Sequence, residues 1–151
     1  MKTDDYDNLL TMMELLQEMH ISERPDIFAR VQPAMSPDDF AETIQAVDYI
    51  ALIAECKGQA AGFGFAKLKE PSMDPILVRH KTLYIDDIFV LQAFRRRHIG
   101  HALLQALETE GRMAGAERMD LNVWAFNENA CNFYKAHGMK VQRILLEKPL
   151  L

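Results

Sequence analysis

Leu83-Tyr84-Ile85-Asp86-Asp87-Ile88-Phe89-Val90, followed by Phe94-Arg95-Arg96-Arg97-His98-Ile99-Gly100-His101-Ala102-Leu103-Leu104, is the stretch on which the fold turns. Its first half is rich in β-branched and aromatic residues and reads as a strand over Thr82 to Val90. Its second half changes period. Ile99, Ala102, Leu103, Ala106 and Leu107 recur at helical spacing, and Gly115 follows, so a helix is expected from Ile99 to about Ala114. Between them lies a turn of three consecutive arginines. Unpaired backbone N–H groups at a helix start attract anions, and guanidinium groups add charge-assisted hydrogen bonds to phosphate. Gly100 permits close backbone approach to a ligand. On its own, the same turn fits a solvated basic patch at the start of a surface helix equally well.

Working outward, Leu9, Met12, Met13, Leu16 and Met19 form an apolar stripe that predicts a helix from about Asp7 to His20. Pro25 and Pro33 mark a loop. Ser36 then caps a second helix running to about Val47, with Pro37 at its first position and acids in its first turn. Tyr49 to Glu55 and Ala61 to Lys69 read as strands joined by a tight turn at Lys57-Gly58-Gln59. Downstream, Met119 to Ala125 predicts a strand, Asn127 to His137 a short helix stopped by Gly138, and Met139 to Glu147 a final strand. The expected order is two helices, three strands, helix, strand, helix, strand: an α/β fold. No repeat or linker interrupts residues 1–151, which read as a single domain.

Composition narrows the function. The chain has 151 residues, 49% hydrophobic and 26% charged, which is ordinary for a globular domain. A formal charge of -5 argues against a nucleic-acid partner held by phosphate contacts and suits a cationic small substrate better. The acids in MKTDDYDNLL are unlike a secretory leader, and no window is long and apolar enough to span a membrane, so a cytoplasmic location is expected. Cys56 and Cys131 are too few for a disulfide framework or a zinc site. His98 and His101 stand three apart on a helix without a third ligand, and no metal is expected.

The strand and turn at Leu83 to Leu104 resemble the fourth strand and pyrophosphate loop of the GNAT acetyltransferases. The loop pattern there is Gln/Arg-x-x-Gly-x-Gly/Ala; Arg95 and Gly100 match its first and last positions, and His98 replaces its first glycine. A second segment, Asn127-Glu128-Asn129-Ala130-Cys131-Asn132-Phe133-Tyr134-Lys135-Ala136-His137-Gly138-Met139, resembles the family's Asn-x-x-Ala-x-x-Phe-Tyr-x-x-x-Gly-Phe, with Met139 replacing the last aromatic. The two lie in the family's order and separation. Parts of them are also similar to the diamine acetyltransferases. The resemblance implies a mixed, mostly antiparallel twisted sheet flanked by helices, and transfer of an acetyl group from acetyl-CoA to a primary amine of a small molecule or peptide. It implies CoA contacts from Phe89, Val90, Arg95, Arg96, Arg97, His98, Ile99, Gly100, His101, Ala102 and Asn127.

Direct transfer needs a neutral amine, yet an amine of pKa near 10.4 is only about one part in a thousand neutral at pH 7. Some group must take its proton. The resemblance assigns this to a carboxylate on the fourth strand, where Asp86 stands; a structural or substrate-attracting role for Asp86 remains the alternative. Neighbouring strand residues point to opposite faces, so Asp86 and Asp87 share a face only if a bulge intervenes, and Asp87 is expected to anchor a neighbouring group. The resemblance places Phe89 and Val90 beside the thioester, where a backbone N–H stabilises its developing charge. Tyr134 is assigned to protonate the departing thiolate, against a reading in which it only packs with Phe133. Trp124 and Phe126 either line the acceptor cavity or fill the core, and the core is the plainer reading. His20, Glu23 and Asp26 fall where relatives build part of the acceptor site, and they fit a solvated loop at least as well. A non-catalytic acyl-CoA-binding or regulatory module is the competing function, and exposed C-terminal strands suit a homodimer.

Overall fold

The computed structural model describes residues 1–150; Leu151, the last residue of the expected domain, lies outside them. After a single turn of 3-10 helix at Thr3–Asp5, helix α1 covers Tyr6–Glu23 and α2 covers Pro37–Gln45. Strands β1 (Tyr49–Cys56), β2 (Gln59–Lys69) and β3 (Thr82–Val90) follow, then α3 (Ile99–Met113), β4 (Arg118–Leu121) and α4 (Glu128–Ala136). The sheet order is β1-β2-β3-β4, antiparallel through the first three strands and parallel between β3 and β4. This is the mixed, mostly antiparallel α/β architecture expected from the sequence.

Local chemistry explains most boundaries. The Ser36 hydroxyl accepts the Asp39 N–H at 3.1 Å and Pro37 takes the first helical position of α2. The β1–β2 hairpin turns on Lys57 (φ 53°) and Gly58 (φ 77°), two left-handed residues whose twist matches that of the strands. Each face of the sheet buries its own core. Leu9 and Met12 of α1 and Phe40 of α2 pack on Phe63, Phe65 and Phe89, while Leu107 of α3 packs on Ala66, Leu68, Leu83 and Ile85. Gly111 lets α3 press onto the sheet, because a Cβ there would lie 2.7 Å from the Leu83 side chain. The buried stripe of α3 is Leu103, Leu104, Leu107 and Gly111; Ala102 and Ala106 are exposed, a rotation of the expected stripe toward its larger side chains.

Two expectations fail at the C-terminal side. The strand expected over Met119 to Ala125 stops at Leu121, and no strand forms over Met139 to Glu147. Both segments have strand-like sequences. What they lack is a hydrogen-bonding neighbour, since β4 pairs with β3 only from Thr82↔Arg118 to Ile85↔Leu121.

Candidate active site

The β3–β4 ladder ends at Ile85↔Leu121. Beyond Ile85, β3 keeps a sheet partner only on its β2 side, so its other edge is free where Asp86 to Val90 lie. At the same point β3 carries a bulge. Phe65 of β2 opposes Asp87 and Ala66 opposes Ile85, which leaves Asp86 without a cross-strand partner. Ile85 packs on the α3 face, yet two residues after the bulge Asp87 lies opposite Phe65, on the α1 face. Asp86 also influences Tyr49, which packs on that face. Both carboxylates therefore serve one face, which strict alternation along a strand would forbid.

The environment separates the two acids. Asp86 is exposed, whereas burial, and then repulsion from the Asp86 charge, push the Asp87 carboxyl up to about 6. No hydrogen bond reaches the Asp87 carboxylate among the described residues, so its expected role as an anchor is not what the structure gives it. Tyr49 is raised by burial first and by Asp86 second. Tyr134, on α4, is raised to about 12 by burial and then by the charge of Asp87, and it is protonated throughout the physiological range. Asp87 and Tyr134 are thus electrostatic neighbours.

The basic turn provides a second component. Arg96 (φ 61°) and His98 (φ 60°) are both left-handed, and His98 is the N-cap of α3. From Arg96 through His101 the backbone N–H groups have no acceptor among the described residues; the first bond of α3 runs from Ala102 N–H to the His98 carbonyl at 2.9 Å. A chain alternating into left-handed dihedrals at a helix start presents a concave row of N–H groups suited to phosphate oxygens. His98 adopts the dihedrals that a glycine would take, at a cost of about 1–2 kcal/mol. Arg95 Nε donates to the Val90 carbonyl at 3.1 Å, which pins the turn to the end of β3. Phe133 of α4 lies 3.5 Å from where a Gly100 Cβ would stand, so α4 packs directly on the first turn of α3.

Two acids at a bulge of β3, a phenol within electrostatic reach of one of them and a row of free N–H groups at the start of the next helix are the groups this part of the chain brings together. Residues 9–139 match the acetyltransferase (GNAT) family. The chain belongs to that family. It is similar to an N-alpha-acetyltransferase of Sulfurisphaera tokodaii, with 33% identity over 114 residues that cover 70% of this chain and 65% of that protein. It also resembles an L-ornithine N5-acetyltransferase of Arabidopsis thaliana, 34% identical over 44% of this chain and 29% of that one. The matched stretches thus span less than two thirds of these relatives' lengths. The crystal structure of a mutant Bacillus halodurans protein superposes at TM-score 0.95, with 27% identity, over 100% of this chain and 97% of that one. An aminoglycoside N-acetyltransferase solved in complex with CoA shares the fold at TM-score 0.65 and 23% identity, covering 76% of this chain and 85% of that one.

Within the GNAT fold, other expected residues land variously. Asn127 caps α4 by accepting the Ala130 N–H at 3.1 Å. Trp124 and Phe126 join neither buried core: Trp124 meets Phe28 edge-on at 5.0 Å and stacks with Phe126 at 6.1 Å, while His20 stacks on Phe28 at 4.8 Å. They form an aromatic wall between the end of α1 and the chain after β4, a correction to the core reading. Burial lowers the His20 pKa below its ordinary value. Asp26 is held by Arg24 at 2.8 Å, so its charge is already matched. Unforeseen by sequence is a histidine pair, His101 Nδ1 to His137 Nε2 at 2.7 Å, which ties α3 to the C-terminus of α4. His137 Nδ1 lies 2.7 Å from the Phe133 carbonyl and donates to it, so in the neutral ring Nε2 is the acceptor for His101. Only the partner assignment was missing, because residues 36 apart in sequence carry no local signal of contact. Among the described residues, no group of three or more His, Cys, Asp or Glu is placed to hold a metal, and no helix is long and apolar enough to cross a membrane.

Proposed function

We propose that the protein is an N-acetyltransferase that moves the acetyl group of acetyl-CoA directly to a primary amine of a small molecule or peptide. The carrying observation is the bulge of β3, which turns Asp87 toward the face of Phe65, where burial raises it to about 6 and its charge reaches Tyr134, itself raised to about 12. A carboxylate near 6 is mostly ionised at pH 7 and accepts a proton far better than one at its ordinary value. We assign to Asp87 the proton-accepting role that the family resemblance implies for Asp86. Asp86, exposed beside it, draws the cationic acceptor and raises Asp87 by its charge.

The donor fits the cradle. The free N–H groups from Arg96 to His101, with Arg95, Arg96 and Arg97, hold the pyrophosphate; Ile99, Gly100 and Ala102 let it approach, and Phe89, Val90 and Asn127 flank the thioester and pantetheine. As the amine attacks the carbonyl carbon, a C–N bond forms and the C–S bond breaks. Its excess proton passes to Asp87. Full transfer from a phenol near 12 to a thiolate near 8.5 would be uphill by about 5 kcal/mol, so Tyr134 acts first as a hydrogen-bond donor to the departing sulfur. Protonation of Asp87 removes the charge that contributes to holding Tyr134 up, so the first step makes the second easier.

An amine acceptor is supported by the two acids on the acceptor face and by the relatives' names, which specify an α-amine and the ornithine N5. The aromatic wall of Phe28, Trp124 and Phe126 supplies apolar contact and, for a cation, an attractive ring face. We take residues 1–151 to be one such domain, cytoplasmic and homodimeric, without metal, nucleic-acid or membrane partners. Thiol release from acetyl-CoA over an amine panel, beginning with diamines and lysine analogues, tests the reaction. Acceptor-dependent release is expected; CoA binding with no such release would favour a non-catalytic acyl-CoA-binding module.

A further inference from the structure

Arg24 holds two carboxylates with one charge. It caps the end of α1, its N–H donating to the His20 carbonyl at 2.9 Å, and its own carbonyl accepts the Phe28 N–H at 2.9 Å. Backbone bonds thus fix it beside the aromatic wall. Asp26 takes one edge of the guanidinium, accepting from Nε at 2.9 Å and from Nη2 at 2.8 Å. That two-bond pair is local and already matches the charge. The outer nitrogen, Nη1, is left over, and Glu147 Oε1 lies 2.7 Å from it. The guanidinium carbon is 6.0 Å from the centre of the Trp124 ring, and the Arg24 side chain is 25% exposed against 63% for Glu147.

Glu147 is held by little else. It stands on the segment after α4, which has neither helix nor strand, and from Lys140 onward no backbone group there has a hydrogen-bond partner among the described residues. A second carboxylate on a guanidinium that is already matched, itself largely in water, is among the weakest of ion pairs. A carboxylate arriving from solution can replace it without breaking any element of the fold. The wall also connects that position to the reacting groups. Asn127, next to Phe126, donates its N–H to the Trp124 carbonyl at 2.9 Å and caps α4, the helix that carries Tyr134. Successive steps of roughly 1.5 Å put Tyr134 about 10 Å beyond Asn127 along that helix. A short aliphatic chain with an amine at one end and a carboxylate at the other suits such a span, with Asp86 and Asp87 for its ammonium and Arg24 Nη1 for its carboxylate.

We propose that Arg24 selects the acceptor by its carboxylate: the substrate is a free amino acid with a side-chain amine, and its carboxylate takes Nη1 of Arg24 from Glu147 and lies against the Trp124 ring while the amine reaches the acetyl group. Glu147 is the stand-in that shows what this nitrogen accepts. A plain diamine has nothing to exchange for Glu147 and brings a second cation toward the guanidinium, which disfavours it. The proposal rests on the amine-acetylation reading for the reaction, but not for the binding of the carboxylate.

Trp124 is the single tryptophan of the chain, so its fluorescence reports binding at this place directly. Titrations in the presence of CoA compare L-lysine with cadaverine, which keeps both amines and lacks the carboxylate. L-Lysine should bind about tenfold more tightly to the natural protein, and Arg24→Gln should bring the two within about twofold of each other. Glu147→Gln removes the competing charge and leaves Arg24 in place; it should tighten L-lysine about threefold and leave cadaverine unchanged. Equal affinities in the natural protein, tighter binding of cadaverine, or a preference that survives Arg24→Gln overturns the proposal. So does L-lysine binding that fails to tighten in Glu147→Gln. Thiol release from acetyl-CoA separates the site from the reaction: a preference for L-lysine in binding, with no release, overturns the acetylation reading and leaves the carboxylate site standing.

Discussion

The donor cradle and the acid–phenol face are built from different parts of the chain. At the turn from Arg95 to Ala102, the ligand-facing groups are mainly backbone N–H donors, fixed by the left-handed residues Arg96 and His98 and by the start of α3. At the bulge, the reactive groups are individual side chains, Asp87 and Tyr134, whose properties come from burial and from one neighbouring charge. A site made of backbone tolerates replacement of most of its side chains. A site made of two side chains does not.

That contrast sets an order of mutational effects. Tyr134→Phe removes the only proton the phenol can offer, and kcat should fall about 10²–10⁴-fold with CoA affinity little changed, by steady-state kinetics and calorimetry. Unchanged turnover would remove Tyr134 from its role. Asp87→Asn should lower kcat/KM by about 10²-fold while making the protein more stable. The folded Asp87 pKa lies above its ordinary 3.8, so the native state binds the extra proton between about pH 4 and 6, and stability is lost as pH rises through that window. The amide escapes this cost, and thermal unfolding at pH 7 should show a gain of about 1–3 kcal/mol. A loss of stability would mean that Asp87 has a favourable partner.

Effects at the cradle should be smaller. Replacing Arg95 and Arg96 together with Ala should raise the KM for acetyl-CoA about tenfold, near 1.4 kcal/mol, and leave kcat nearly constant, because the backbone donors remain. A drop in kcat with KM unchanged would move these arginines from donor binding to the reaction. His98→Gly should be milder still. It relieves the left-handed strain but adds freedom to the unfolded chain, for a net gain of about 0.5–1 kcal/mol at unaltered activity.

The same contrast governs what could be read from sequence. The turn and α4 were legible because their signals are local: Gly100, the arginines, and the Asn127 cap lie close in sequence to the groups they act on. The strand Thr82–Val90 was also legible, from its composition. The bulge was not, because it depends on β2 pairing Phe65 with Asp87 and Ala66 with Ile85, a register that no residue of β3 announces. Choosing between Asp86 and Asp87 therefore required the sheet. For Trp124 and Phe126 sequence favours the core, where aromatic residues usually pack, whereas the structure sets them beyond the end of the β3–β4 ladder. The final strand, Met139 to Glu147, failed for a related reason. Alternation and apolarity describe what a strand is made of, and pairing decides whether one forms.

The central claim is that the bulge places an acid of raised pKa, supported by a second acid, opposite Tyr134. Its most direct test is the pH dependence of kcat/KM for the natural protein and for Asp86→Asn, measured with one amine acceptor. The account predicts a break near pH 6 that shifts to lower pH in the variant, because removing the Asp86 charge removes one of the two causes that raise Asp87. A profile with no break between pH 5 and 7, or a break that stays in place when Asp86 is neutralised, would contradict it.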